Sequence, residues 1–136
     1  MYEMQMRMIQ HQMQRVIDKS PFYQAKFAEI CAQDIKDKES FEQLPFSSKE
    51  DLRNAYPLGL QAVDEKDVIR IHSSSGTTGM PVIIPYTRRD VEDWALMFRR
   101  CYEFAGITNT DRIQITPGYG LWTAGIGFQT GAELLG

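Results

Sequence analysis

The stretch "VIRIHSSSGTTGMPVIIPY", residues 68–86, decides how the rest of the chain is read. Its two ends, Val68 to His72 and Pro81 to Tyr86, carry the β-branched, apolar residues of buried strands, and a run of serine, threonine and glycine separates them. Glycines at 76 and 79 let the backbone turn with positive φ and come close to a ligand. Successive N–H groups can then converge on an anion, with the hydroxyls of Ser74, Ser75, Thr77 and Thr78 as further donors. Such a loop suits an oxyanion or phosphate; on composition alone, a flexible surface turn is the alternative. It is not the P-loop of G-x-x-x-x-G-K-[ST] type, because "GTTGMP" lacks the lysine and the final hydroxyl, and it is not a dinucleotide fingerprint.

Upstream of this stretch the pattern is helical. Met6, Ile9, Met13, Val16 and Ile17 recur at intervals of three and four, which places one apolar stripe on a helix over the first nineteen residues, for packing against a core or a partner. Ser20 as N-cap and Pro21 at the first helical position start a second helix. Ser40 with Gln43, and Ser47 with Glu50, read as capping boxes opening two short helices. Pro57 and Gly59 end that region, and "QAVDEKD" is a charged loop leading to the strand at 68–72.

Downstream, a second strand is expected at 81–85, then a helix over 88–105. Thr87 and Asp90 cap it, Val91, Ala95, Phe98, Cys101/Tyr102 and Ala105 form its inner stripe, and Gly106 stops it. "DRIQIT" predicts a third strand at 112–116, parallel to its partner because a helix joins them. "PGYGLWTAGIG" is a glycine-rich turn, and a further helix follows it. The fold class is therefore α/β: N-terminal helices, then a small, mostly parallel sheet with flanking helices. The whole is read as one domain, with a helical region over 1–60 and an α/β part over 61–136.

Composition narrows the function classes. A chain of 136 residues with 43% hydrophobic and 24% charged residues is globular, and no apolar run approaches the roughly 18 residues of a membrane span. A net charge of −3 argues against nucleic-acid binding, which needs a basic surface to displace counterions. Arg88/Arg89 and Arg99/Arg100 read as a solvated helix face, with an anionic ligand as the alternative. Cys31 and Cys101 follow no metal-ligand spacing and no secretory signal precedes them, so a reduced, cytoplasmic setting is expected, each thiol a small buried hydrophobe. His11 and His72 have no partner at metal-binding spacing, and no protein-held metal is expected.

"SSSGTTGMP" resembles the phosphate-binding signature of the acyl-adenylate-forming enzymes. "PFYQAKF", "LPFSSKEDLRNAYPLGL", "VIRIHSSSGTTGMP" and "GYGLWTAGIGFQTGAELLG" together resemble the N-terminal region of one branch, the phenylacetate-coenzyme A ligases, in order and from about residue 10 onward. The resemblance implies part of the large N-terminal domain of such a ligase. It also implies a two-step reaction: a carboxylate attacks the α-phosphate of ATP to give an acyl-adenylate, and the thiol of coenzyme A then displaces AMP. Carried over by position, Ser74, Ser75, Gly76, Thr77, Thr78 and Gly79 cradle the β- and γ-phosphates of ATP.

Met80 stands where the family usually has lysine, which removes one phosphate counter-charge. Read from its residues alone, "GYGLWTAG" is either an aromatic turn packed in a core or a flat apolar slot suited to an aryl ring. The resemblance implies the slot, with Tyr119, Gly120, Leu121, Trp122 and Thr123 lining the aryl-acid pocket. Trp122 and Ala124 depart from the family's smaller aromatic and glycine, so the preferred acid is open. His72 reads as structural, with a place near the nucleotide as the alternative.

The family's adenine and ribose motifs, the acidic residue that helps hold Mg2+ and the lysine that drives adenylation belong beyond position 136. The chain is thus expected to be a fragment inactive alone, without catalytic residues of its own; the parent enzyme would use ATP, Mg2+ and coenzyme A in aromatic catabolism. A homo-oligomer is expected, and on the module reading below self-association would use the Met-rich first helix and the surfaces left bare by the absent remainder. A non-catalytic self-associating module and a stand-alone nucleotide-binding domain are the alternatives.

Overall fold

The computed structural model describes residues 2–74 and 79–136, the side chain of Ala124 excepted. The chain forms two compact units, one ending at Asp64 and the other beginning at Glu65.

The first unit is helical. Helix α1 spans Tyr2–Lys19, α2 Pro21–Lys26, α3 Lys38–Glu42 and α4 Lys49–Asn54. The apolar stripe of α1 docks as its spacing predicts. Met13 is buried with Phe27, Ala32 and Ile35, and Ile9, Val16, Ile17, Tyr23, Ile30 and Leu44 pack around them. Ser20 does occupy the N-cap position of α2, but its hydroxyl caps nothing. Fully buried, Ser20 instead donates from Oγ to the Gly59 carbonyl at 3.3 Å, which also accepts from the Phe22 N–H at 3.1 Å. Gly59 is there for close approach, since a Cβ on it would lie 2.8 Å from the Ala55 carbonyl oxygen.

Both capping boxes of this unit exist, each in a different register from the one the sequence predicts. Helix α3 is capped by Asp37, whose carboxylate accepts from the Ser40 N–H at 2.8 Å while the Ser40 hydroxyl accepts from the Asp37 N–H at 3.1 Å. Aspartate caps as well as serine, so the earlier acceptor takes the position. Helix α4 is capped by Ser48, with Asp51 three residues on accepting from the Ser48 N–H at 2.8 Å. Lys26 decides that register: its Nζ meets the Asp51 carboxylate at 3.1 Å.

The Asp51 carboxyl is held below the ordinary carboxylate range, chiefly by the Ser48 backbone N–H and next by Lys26. A carboxylate depressed on folding contributes stability that is complete above its unfolded value, about 3.9, and is lost as pH falls through the folded value. The Asp37 and Asp111 carboxyls, lowered first by hydrogen bonds from Ser40 and Thr108, act in the same direction. The urea midpoint is therefore expected to be flat above about pH 5 and to drop below about pH 4. Asp51→Asn should make that drop shallower; an unchanged slope in the variant would count against the assignment.

The second unit carries β1 (Val68–Ser73), β2 (Ile83–Thr87), α5 (Arg88–Phe104) and α6 (Ala124–Leu135). The expectation of a mostly parallel sheet is corrected here, because β1 and β2 pair antiparallel, His72 opposite Ile84 and Ser73 opposite Ile83. Residues 74–82 are too short a link for anything else, since a parallel connection needs a crossover of about a dozen residues or more. Residues 112–116 form no strand. The chain does return parallel after the long helix, but at a single bridge between Ser73 and Trp122.

Helix α5 is capped as the sequence predicts, the Asp90 carboxylate accepting from the Thr87 N–H at 2.8 Å, and Gly106 follows its end with φ of 81°. Its packing stripe is Trp94, Phe98 and Tyr102, at intervals of four. Phe98 meets Phe128 of α6 edge-on at 4.9 Å, and the Tyr102 hydroxyl donates to the Phe128 carbonyl at 3.1 Å. Cys101 and Cys31 are both exposed, which corrects the expectation of buried thiols. Neighbours on a helix point about 100° apart, and Tyr102, with a carbonyl for its hydroxyl, takes the inward place that Cys101 was expected to share. Arg89 and Arg99 pair along the exposed face with Asp93 at 3.5 Å and Glu103 at 2.9 Å, as a solvated face requires.

Candidate functional site

Strand β1 ends at Ser73, and its last two residues are buried although the small-residue loop starts immediately after them. The loop's neck is tied twice between Ser74 and Val82. The Ser74 N–H donates to the Val82 carbonyl at 3.0 Å, and the Val82 N–H donates to Ser74 Oγ at 3.0 Å. Accepting leaves the Ser74 hydroxyl hydrogen available to donate elsewhere. Gly79 sits at φ of 131°, which a side chain would strain, so glycine is needed where the loop re-enters described backbone. The expectations placed on Ser75, Gly76, Thr77 and Thr78 lie outside the described residues. Met80 is exposed.

Residues 117–123 run beside this neck. The Leu121 carbonyl accepts from the Ser73 N–H at 2.7 Å and meets His72 Nδ1 at 3.2 Å. The two motifs that the sequence keeps nearly fifty residues apart therefore touch at one carbonyl. Tyr119, Leu121 and Trp122 turn their side chains outward, and no described residue stands within 4 Å of where a Cβ on Gly118 or Gly120 would be. Thr123 is half-buried at the start of α6 without capping it. The result is an apolar, aromatic surface with open space over its glycines, directly alongside the loop's neck.

His72 is 3% exposed. Its ring meets Tyr86 edge-on at 5.3 Å and Trp94 at 5.7 Å, and Trp94 continues to Phe98 at 6.1 Å. Burial, helped by the negative charge of Asp90, pushes the Tyr86 hydroxyl pKa up, so the phenol stays protonated. Helix α6 closes on it through glycines. A Cβ on Gly127 would lie 2.8 Å from Phe98 Cε2 and 3.0 Å from Trp94 Nε1. One on Gly131 would enter the Phe98 side chain and lie 3.2 Å from the Arg99 nitrogen. Sequence reasoning missed this close crossing, although its signal is present: Gly127 and Gly131 four apart, opposite aromatics also four apart at Trp94, Phe98 and Tyr102.

A groove of about 790 Å³ in the first unit, lined by Met13, Tyr23, Phe27, Phe41, Leu44 and Phe46 among others, contains none of the predicted site residues. Among the described residues no three His, Cys, Asp or Glu side chains gather as metal ligands, and no helix is long and apolar enough to cross a membrane.

In fold, 96% of the chain superposes with a TM-score of 0.86 and 28% identity on 29% of 2-hydroxyisobutyryl-CoA ligase, solved with 2-HIB-AMP and CoA in the thioesterification state. The architecture is thus that of a segment of an adenylate-forming CoA ligase. No family model matches the chain. The phenylacetate-coenzyme A ligase of Pseudomonas putida is 40% identical over 93% of the chain and 31% of its own length. That of Escherichia coli is 41% identical over 85% and 27%. Within the ligase class, the chain is a relative of the phenylacetate-coenzyme A ligases. It spans 27–31% of the length of these curated relatives.

Proposed function

We propose that this chain forms the triphosphate-binding loop and part of the acid pocket of an ATP-dependent, AMP-forming ligase that joins an aryl acid, such as phenylacetate, to coenzyme A. The observation that carries the reading is the meeting of the loop's neck with residues 119–123 at the Leu121 carbonyl. Adenylation requires the acid beside the polyphosphate, and that contact sets the two binding stretches side by side. Ser74, Ser75, Gly76, Thr77, Thr78 and Gly79 supply N–H and O–H donors to the β- and γ-phosphates, where fixed donors stabilise charge on oxygen. Tyr119, Gly120, Leu121, Trp122 and Thr123 offer the ring an apolar face.

Mg2+ enters with ATP as counter-ion to the phosphates. Lacking a carboxylate cluster among its described residues, the chain contributes anion donors to that step. A reaction on ATP, coenzyme A and a small acid suits a cytoplasmic enzyme, and the exposed Tyr2, Met4 and Met8 of α1 offer a surface for self-association. The test is acid-dependent exchange of pyrophosphate into ATP by the full-length protein. Exchange with phenylacetate or a related aryl acid is the expected result, and none with any aryl acid would refute the reading.

Met80→Lys restores an ammonium beside the phosphates. It is expected to lower the KM for ATP about three- to tenfold, the range of one added charge-assisted bond near the surface, with kcat little changed. An unchanged KM for ATP would show that Met80 does not adjoin the phosphates.

A further inference from the structure

We infer that His72 is a positioning residue which ties the acid-binding segment to the phosphate loop by holding its proton on Nδ1 and donating it to the Leu121 carbonyl. The inference rests on the ligase reading for its effect on activity, though not for the hydrogen bond itself. A carbonyl oxygen only accepts, so the 3.2 Å contact from Nδ1 is a hydrogen bond only when Nδ1 carries the proton. The same oxygen takes the Ser73 N–H at 2.7 Å. Ser73 and His72 are the last two residues of β1, and the loop begins at the next position.

Among the described residues, the backbone of Pro117 and Gly118 lies against Gly125 of α6, while residues 119–122 are held mainly from β1. Tyr119, Leu121 and Trp122 are exposed, no described atom lies within 4 Å of a Cβ placed on Gly118 or Gly120, and among the described residues the segment's bridge to β1 is the pair Ser73 and Trp122. The His72 ring is itself immobilised, since Tyr86 from β2 and Trp94 from α5 stand against it and it is almost wholly buried. A rigid ring at the base of the loop thus aims one donor at the carbonyl that joins residues 119–122 to the end of β1. Losing that donor should loosen the acid's seat while leaving the phosphate donors in place. The cost should appear in KM for the acid more than in kcat.

Two measurements test this. In a long-range ¹H–¹⁵N spectrum of the ¹⁵N-histidine-labelled full-length protein, the ring that disappears in His72→Gln identifies His72. The expected result is the Nδ1–H tautomer for His72; the Nε2–H tautomer overturns the inference, whatever the protein catalyses. In the full-length protein, pyrophosphate exchange is then compared between His72→Asn and His72→Gln. The Asn amide nitrogen sits where Nδ1 does, whereas that of Gln reaches only the Nε2 position. His72→Gln should raise the KM for phenylacetate about tenfold, the size of one hydrogen bond, and His72→Asn should recover most of that loss with kcat within about twofold. Equal loss in both variants overturns the positioning role. Absence of any exchange in the unaltered protein refutes the ligase reading instead, and the tautomer still decides the tie.

Discussion

Replacing Ser75, Thr77 and Thr78 together by alanine is expected to lower acid-dependent adenylate formation in the full-length protein by at least about a thousandfold. Removing one fixed donor from a site of developing oxyanion charge costs about 10²–10³ in rate, and three hydroxyls are lost here. Backbone N–H donors remain, so ATP binding should weaken less than the chemical step slows. Ser74→Ala is a useful contrast. Its Oγ accepts the Val82 N–H at 3.0 Å, so its loss should free the neck, seen as faster hydrogen exchange at Val82 as well as slower turnover. Pyrophosphate exchange measures the first effect. A triple variant that exchanges as fast as the parent would remove the loop from the chemistry.

The second large effect is structural. Gly131→Ala is expected to destabilise the second unit by about 3 kcal/mol, the upper end for forcing atoms into a packed site. The added methyl would enter the Phe98 side chain and press on the Arg99 backbone at 3.2 Å, so helices α5 and α6 must part. Parting them withdraws the Phe98–Phe128 contact and the Tyr102 hydrogen bond, and exposes the Trp94 wall behind His72. Gly106→Ala serves as a control of another kind. No atom lies within 4 Å of its Cβ position, so its cost comes only from the positive φ of 81° and should stay near 1 kcal/mol. Urea unfolding followed by near-ultraviolet circular dichroism distinguishes them. A Gly131→Ala midpoint no lower than that of Gly106→Ala would contradict the close crossing.

Local signals carried well from sequence to fold. The stripe from Ile9 to Ile17 docks on the first unit's core, the Thr87–Asp90 box opens α5, and Gly106 follows its end. Each depends on residues within a turn or two of one another. The capping boxes at Asp37 and Ser48 slipped because several short polar side chains compete there, and a distant lysine, Lys26, settles one of the choices.

The parallel strand at 112–116 failed for a different reason. Alternating polarity shows that a segment can line a sheet, but pairing depends on what lies beside it, and the returning chain reaches β1 only at Trp122. At the candidate site, the residue types of both proposed binding stretches are legible in the sequence. Their meeting is not, because it runs through the main-chain oxygen of Leu121, and a carbonyl has no residue letter. The surroundings of His72 are likewise hidden in the sequence, since Tyr86, Trp94 and Leu121 converge on it from distant positions.

The most direct measurement is a crystal structure of the full-length protein with a non-hydrolysable ATP analogue and phenylacetate. The β- and γ-phosphate oxygens should lie within about 3 Å of N–H and O–H donors from residues 74–79, with the aryl ring against Tyr119 to Thr123. A triphosphate bound away from residues 74–79 would contradict the central claim.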